Sequence, residues 1–92
     1  MEFVHNNSII IPAKSNVEQS YGPFYNKVDI YDKINIGPES ILTGSYTFSG
    51  VQVERIIINE KSIIYGFGVF SRGYCRELEI HQNANIIGPY SF

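Results

Sequence analysis

A phrase of about 22 residues recurs four times in this chain, and it limits the possible folds more than any other feature. The copies begin at Ile9, Ile34, Ile56 and Leu78, at spacings of 25, 22 and 22 residues. Two residues after each start stands an isoleucine, and six residues after it stands a serine or an alanine. Such self-similarity indicates stacked structural repeats, in which equivalent residues of successive copies become neighbours.

Each copy has the pattern of two short β-strands. Apolar residues recur at every second position, which is the period of a strand. A polar turn such as Asn59-Glu60-Lys61-Ser62 separates the two strands, and a glycine stands in the second one, at Gly44, Gly66 and Gly88. A glycine at such a position favours a bend or the close approach of another backbone. A third short strand is expected before the next copy, around 50–53 and 73–75.

The composition favours the same structural class. The 92 residues include 15 Ile, 7 Tyr and 6 Phe, and hydrophobic residues make up 43% of the chain. β-Branched and aromatic side chains fit the pleated surface of a sheet. No segment predicts a helix.

These patterns predict a single all-β domain over residues 1–92, with residues 1–8 as a lead-in or cap. The preferred architecture is a short β-solenoid, similar to a right-handed β-helix, with repeats of about 22 residues. The alternative is a small antiparallel β-barrel or sandwich, in which the repeat would be a duplicated hairpin.

The phrases "INIGPESILTGS" and "LEIHQNANIIGP" resemble the repeats of bactofilins, the polymer-forming cytoskeletal proteins of bacteria. The resemblance covers residues 34–92. It implies a right-handed β-helix that polymerises end to end.

Several functional classes lack a signal in the sequence. A formal net charge of −2 without a run of like charges argues against nucleic-acid binding. His5, His81 and the single Cys75 form no cluster with the spacing of a metal or catalytic site, so we expect no enzyme activity, no metal and no cofactor. With neither a signal peptide nor a membrane-spanning stretch, the expected location is the cytoplasm.

The third copy differs from the others because its strands are apolar on both faces between 56 and 70. In a solenoid, an apolar outer face is expected to meet a partner. The open strand edge at the end of the last copy adds a second candidate contact. The predicted protein-interface residues are Ile57, Ile63, Tyr65, Phe67, Val69 and Phe92.

The sequence therefore predicts a non-enzymatic protein that binds protein. The first hypothesis is a self-assembling structural protein, forming a homo-oligomer or filament. The second is a small inhibitor, such as a toxin-immunity or phage counter-defence protein, that binds one protein partner. A weaker third hypothesis is a carbohydrate-binding module that uses Tyr21, Tyr46 and Tyr90 as stacking rings.

Overall fold

Two β-sheets enclose the core of the protein. The structure, a computed structural model, describes residues 3–18 and 30–88. Its strands in chain order are β1 (Val4–His5), β2 (Ser8–Ile11), β3 (Asn16–Glu18), β4 (Ile30–Ile36), β5 (Ile41–Thr43), β6 (Gln52–Ile58), β7 (Ile63–Tyr65), β8 (Tyr74–Ile80) and β9 (Asn85–Ile87).

Each sequence repeat supplies one strand to each sheet. The larger sheet has the order β1-β2-β4-β6-β8, and the smaller has the order β3-β5-β7-β9. Successive repeats pair in parallel, and the register places Ile9 beside Ile34, Ile34 beside Ile56, and Ile56 beside Leu78. The β-solenoid with repeats of roughly 22 residues is thereby confirmed. The antiparallel barrel or sandwich is wrong, because only the short β1 pairs in the antiparallel sense among the described strands.

The third short strands expected around 50–53 and 73–75 do not exist as separate elements. Residues 52–53 and 74–75 are instead the first residues of β6 and β8, which run on for seven residues each. Within β6, two consecutive exposed residues, Glu54 and Arg55, separate the buried Val53 from the buried Ile56. Because the alternation shifts by one residue here, the buried side chains before and after this point lie on the same side of the strand and both reach the core.

We call each turn of the solenoid a coil. The core consists of columns of like residues, with one residue of each column contributed by each coil. Phe48 and Phe70 stack with ring centroids 5.1 Å apart and an interplanar angle of 15°. Burying such side chains contributes about 1.5–3 kcal/mol each. The buried residues that form the columns are Ile9, Ile11, Val17, Tyr31, Ile34, Ile36, Leu42, Phe48, Val51, Val53, Ile56, Ile58, Ile64, Val69 and Phe70.

The small residues of the repeat lie at the turn between the two strands of each coil. The hydroxyl groups of Ser40 and Ser62 are buried and donate hydrogen bonds of 2.9 Å to the carbonyl oxygens of Pro12 and Gly37, in the preceding coil. Each serine therefore fastens its turn to the coil before it.

The glycine column is the place where the coils come closest. A Cβ atom on Gly66 would lie 1.9 Å from the carbonyl oxygen of Gly44, and one on Gly88 would lie 2.0 Å from that of Gly66. Non-bonded contacts of a Cβ atom are essentially never this short. The sequence-based expectation of a close backbone approach at these glycines is confirmed.

Replacing Gly66 with alanine should separate two coils. Because the obstacle is a backbone carbonyl and not a movable side chain, we expect the free energy of unfolding to fall by at least about 3 kcal/mol. Urea denaturation followed by circular dichroism would measure the change. Gly50→Asn is the matched control, since the equivalent residue one coil later is Arg72, and both have positive φ. Equal losses in both variants would contradict the argument.

The turns offer a stabilising substitution. Lys14, Glu39, Lys61 and Asn83 occupy one column and have left-handed backbones, with φ between 59° and 62°. Asparagine tolerates this conformation better than lysine does. We expect Lys61→Asn to raise the free energy of unfolding by about 0.5–1 kcal/mol. Lys33→Asn, which removes the same charge from strand β4, should give no gain in the same measurement.

Candidate protein-interaction site

The N-terminal end of the stack is closed along the larger sheet. Ile9 and Ile11 belong to the first coil, yet only 0% and 1% of their surface is exposed. Strand β1 folds back antiparallel on β2, with Val4 beside Ile9, and Phe3 and Val4 pack against the core. The backbone N–H of Ile10 donates a hydrogen bond of 2.8 Å to the carbonyl oxygen of Phe3. The outer edge of β2 therefore has a partner.

The C-terminal end is open. Leu78 and Ile80 continue the columns of Ile56 and Ile58, which are 3% and 0% exposed. Leu78 and Ile80 themselves are 45% and 49% exposed. Their side chains occupy core positions that no further coil of residues 3–18 and 30–88 covers.

The same end also presents unpaired strand edges. Within residues 3–18 and 30–88, β8 and β9 have neighbours on one side only. Their free N–H and C=O groups can template pairing with another chain. We call this surface the C-terminal end face, and it comprises Leu78, Ile80 and Ile86 with the outer edges of β8 and β9.

A second apolar surface lies on the outside of the smaller sheet. Ile63 stands beside Ile41, and Tyr65 stands between Thr43 and Ile87, with Phe67 just beyond the end of β7. Tyr65 is 57% exposed and Ile87 is 47% exposed. We call this surface the side patch, and it comprises Ile41, Ile63, Tyr65, Phe67 and Ile87.

The structure brings together only part of the interface predicted from the sequence. Ile63, Tyr65 and Phe67 lie together in the side patch. Ile57 is on the outer face of the other sheet, in line with Asn35 and Glu79, so its grouping with Tyr65 was wrong. Phe92 lies outside the described residues.

Val69 also requires a correction, because it is only 1% exposed and belongs to the core. The two-residue alternation ends at Gly66, where the chain leaves strand β7 and begins the corner that leads to β8. The carbonyl oxygen of Val69 accepts a hydrogen bond of 2.8 Å from the N–H of Phe48. Consecutive residues of this corner, Val69 and Phe70, both pack inward.

The sequence reasoning missed the open columns at Leu78 and Ile80. The repeat places both residues in inner columns, and an inner-column position predicts a buried side chain. The available signal was their place in the last repeat, where an inner column loses its neighbour. Ile41 and Ile87 of the side patch were missed because their own repeats look regular.

Charged residues cover the outer face of the larger sheet near the end face. Nη2 of Arg55 lies 2.6 Å from Oε1 of Glu79, and the second carboxylate oxygen of Glu79 contacts Nε2 of His81. Nη1 of Arg76 lies 3.0 Å from Oε1 of Glu54. The hydrogen bond from Arg55, and then that from His81, lowers the pKa of Glu79, and the hydrogen bond to Glu79 raises the pKa of Arg55.

The lowered pKa of Glu79 gives a pH prediction. A carboxyl group whose pKa is lower in the folded state stabilises the fold above its unfolded pKa, and this contribution is lost as the pH falls through the folded pKa. We expect Glu79→Gln to lower stability slightly at pH 7, with the difference from wild type shrinking once the pH falls below the ordinary glutamate pKa of about 4.3 and vanishing below the lowered pKa of Glu79. Thermal unfolding across pH would measure it.

Glu60→Gln is the control for that series, because the Glu60 carboxylate makes no ion pair among the described residues. Its loss of stability at pH 7 should be smaller than that of Glu79→Gln. A difference that persists unchanged at low pH in Glu79→Gln would contradict the assignment.

An apolar cavity of about 210 Å³ lies between the phenylalanine column and the larger sheet, near the last coil. Cys75 lines it beside Val53, as expected for a small inner residue. Burial raises the pKa of the Cys75 thiol. The full lining is Ile34, Phe48, Val51, Val53, Ile56, Phe70, Gly73, Tyr74 and Cys75.

No chemical site accompanies these surfaces in the part of the chain that the structure describes. That part holds no group of three or more His, Cys, Asp or Glu residues able to bind a metal ion. It also contains no helix that could span a membrane. Of the tyrosines considered for sugar stacking, Tyr21 and Tyr90 lie outside the described residues, and Tyr46 is half-buried with its ring edge-on to Phe67 at 5.3 Å.

Comparisons with known proteins give no information on the function of these surfaces. No protein-family model matches the chain, and no curated protein or solved structure matches it either. The resemblance to bactofilin repeats therefore stays a prediction.

Proposed function

We propose that this protein is a non-enzymatic structural protein that associates with further copies of itself through the C-terminal end face. The observation that supports this proposal is the exposure of Leu78 and Ile80, which is 45% and 49% in columns whose other members are at most 3% exposed. Apolar side chains that occupy core positions but are exposed would be buried by contact with the same surface of a second copy.

The size of the end face fits a specific contact. The principal extents of the molecule are 29, 27 and 24 Å. Strands about 4.8 Å apart make the stack direction the short one, so the end face measures roughly 29 by 27 Å at most. Two such faces bury on the order of 1,200 Å² in total, which is the lower bound for stable specific interfaces. The side patch, three short strands wide, covers a much smaller area.

The chemistry of the end face favours pairing as well. Covering the exposed half of Leu78 and of Ile80 contributes about 1 kcal/mol for each side chain. The free edge of β8, seven residues long, adds backbone hydrogen bonds that give the contact its direction. Burial of the apolar side chains then provides affinity, and the backbone hydrogen bonds along β8 fix how the two copies align.

A glutamate in the open columns should prevent association. Introducing Ile80→Glu leaves the covered coils untouched but places a charge where two end faces would meet. Light scattering coupled to size-exclusion chromatography should give a mass above the 10.5 kDa monomer for the wild-type chain, rising with concentration. The variant should remain monomeric, with at least about 100-fold weaker association.

Tyr65→Glu is the matched control, because it puts the same charge on the side patch. It should associate as the wild type does, and circular dichroism should confirm that both variants are folded. A wild-type chain that is monomeric at every concentration would refute the proposal.

The second candidate function is inhibition of one other protein through the side patch. The exposure of Tyr65 at the end of β7 and of Phe67 just beyond it, 57% and 39%, favours it. Exposed aromatic side chains are frequent anchors at the centre of protein interfaces. This candidate would gain support if Tyr65→Glu abolished binding to a purified partner while Ile80→Glu did not.

A further inference from the structure

We infer that the self-association is end face to end face, giving a closed two-fold dimer and not a filament. This inference rests on the proposed function and specifies its geometry. It follows from the difference between the two ends of the larger sheet, where β1 covers β2 at one end and β8 is an edge strand at the other.

A filament would require head-to-tail stacking. In that arrangement β8 of one copy would pair in parallel with β2 of the next, just as β2 pairs with β4 and β6 with β8. The outer edge of β2 is already occupied by β1, through the pairs Val4–Ile9 and His5–Ser8. The edge that would continue the solenoid is therefore closed within each molecule.

The other edges at the N-terminal end do not replace β2. Strand β1 is two residues long, so its outer edge offers few hydrogen bonds to the seven residues of β8. In the smaller sheet, β9 could approach β3 only if β8 approached β2 as well, because a four-residue turn joins β8 to β9. With β1 in the way, an incoming coil stays about one strand spacing, 4.8 Å, too far from β3.

Two C-terminal end faces can meet without this obstacle. A two-fold axis perpendicular to the stack places β8 of one copy antiparallel to β8 of the other, which is a normal sheet pairing. Leu78 and Ile80 then cover the same residues of the second copy, so both sets of open columns are buried at once.

The charges around the end face permit this self-complementary contact. Strand β8 carries Arg76 together with Glu77 and Glu79, and His81 follows it directly. In the register that sets Leu78 opposite Ile80 of the second copy, Glu77 lies opposite His81 and Glu79 lies opposite Glu79. The charge of Glu79 is already compensated within each molecule by Arg55 and His81. A rim of one sign would repel its copy.

Distances between spin labels distinguish the two geometries. Cys75→Ser removes the single native thiol, and Arg72→Cys or His5→Cys then provides one exposed label site in the last coil, outside β8, or at the closed end. In a two-fold dimer, the Arg72→Cys labels should be close together. The His5→Cys labels should be farther apart by about twice the height of the stack, on the order of 40 Å. Head-to-tail stacking gives about equal distances at both sites, since every residue is then displaced from its copy by the same translation.

The measurement is pulsed dipolar electron paramagnetic resonance on samples whose mass is known from light scattering. A dimer mass with one short and one long distance supports the inference. Equal distances with a mass that keeps rising would overturn it and leave the proposed self-association standing. A monomer mass without an intermolecular distance would overturn both. Adding Tyr65→Glu to each labelled chain should change neither distance, and loss of the signal would place the contact at the side patch instead.

Discussion

The contact between the backbones of successive coils at the glycine column governs the rest of this structure. The N–H of Gly44 donates to the carbonyl oxygen of Tyr65, and that of Gly66 donates to the carbonyl oxygen of Ile87, each at 3.0 Å. No side chain fits between coils at this point. Such contact admits one register, because a shift by a single residue would exchange the inner and outer faces of every strand. The columns of isoleucine, serine and phenylalanine are consequences of that register.

In-register stacking has a cost on the outer surface, where like charges can become neighbours. The turn column alternates Lys14, Glu39 and Lys61, so each cation lies next to an anion. Elsewhere the compensation is diagonal, as between Arg55 of β6 and Glu79 of β8. Exposed pairs of this kind stabilise weakly, and their main effect is to avoid repulsion along a column. The core holds the coils together, and the surface charges are compatible with that arrangement.

Much of this architecture could be predicted from the sequence because, in a solenoid, equivalent positions of successive repeats are neighbours in space. Aligning the copies gave the pairs that the register confirms, such as Ile34 with Ile56 and Leu42 with Ile64. The method failed where the alternation of two is interrupted. At Val69 the chain has left the strand, and around Glu54 it exposes two residues in succession. Neither event alters the spacing between repeats, so the repeat gives no sign of it. Burial at the ends was also beyond the alignment, which treats Leu78 like Ile56 although only one of them has a coil on each side.

The two ends of a parallel stack are chemically different, and this asymmetry determines what the molecule can join. A coil can be added only to an edge that still offers N–H and C=O groups in the parallel sense. A reversal of the chain at Asn6 and Asn7 places β1 on β2 in the antiparallel sense, and so it ends the parallel series on that side with a strand of just two residues. Nothing comparable occupies β8 among the described residues. An open edge on one side supports growth only if a matching edge is open on the other. When the other edge is closed, head-to-tail growth lacks its second site, and the proposed association stops at two copies.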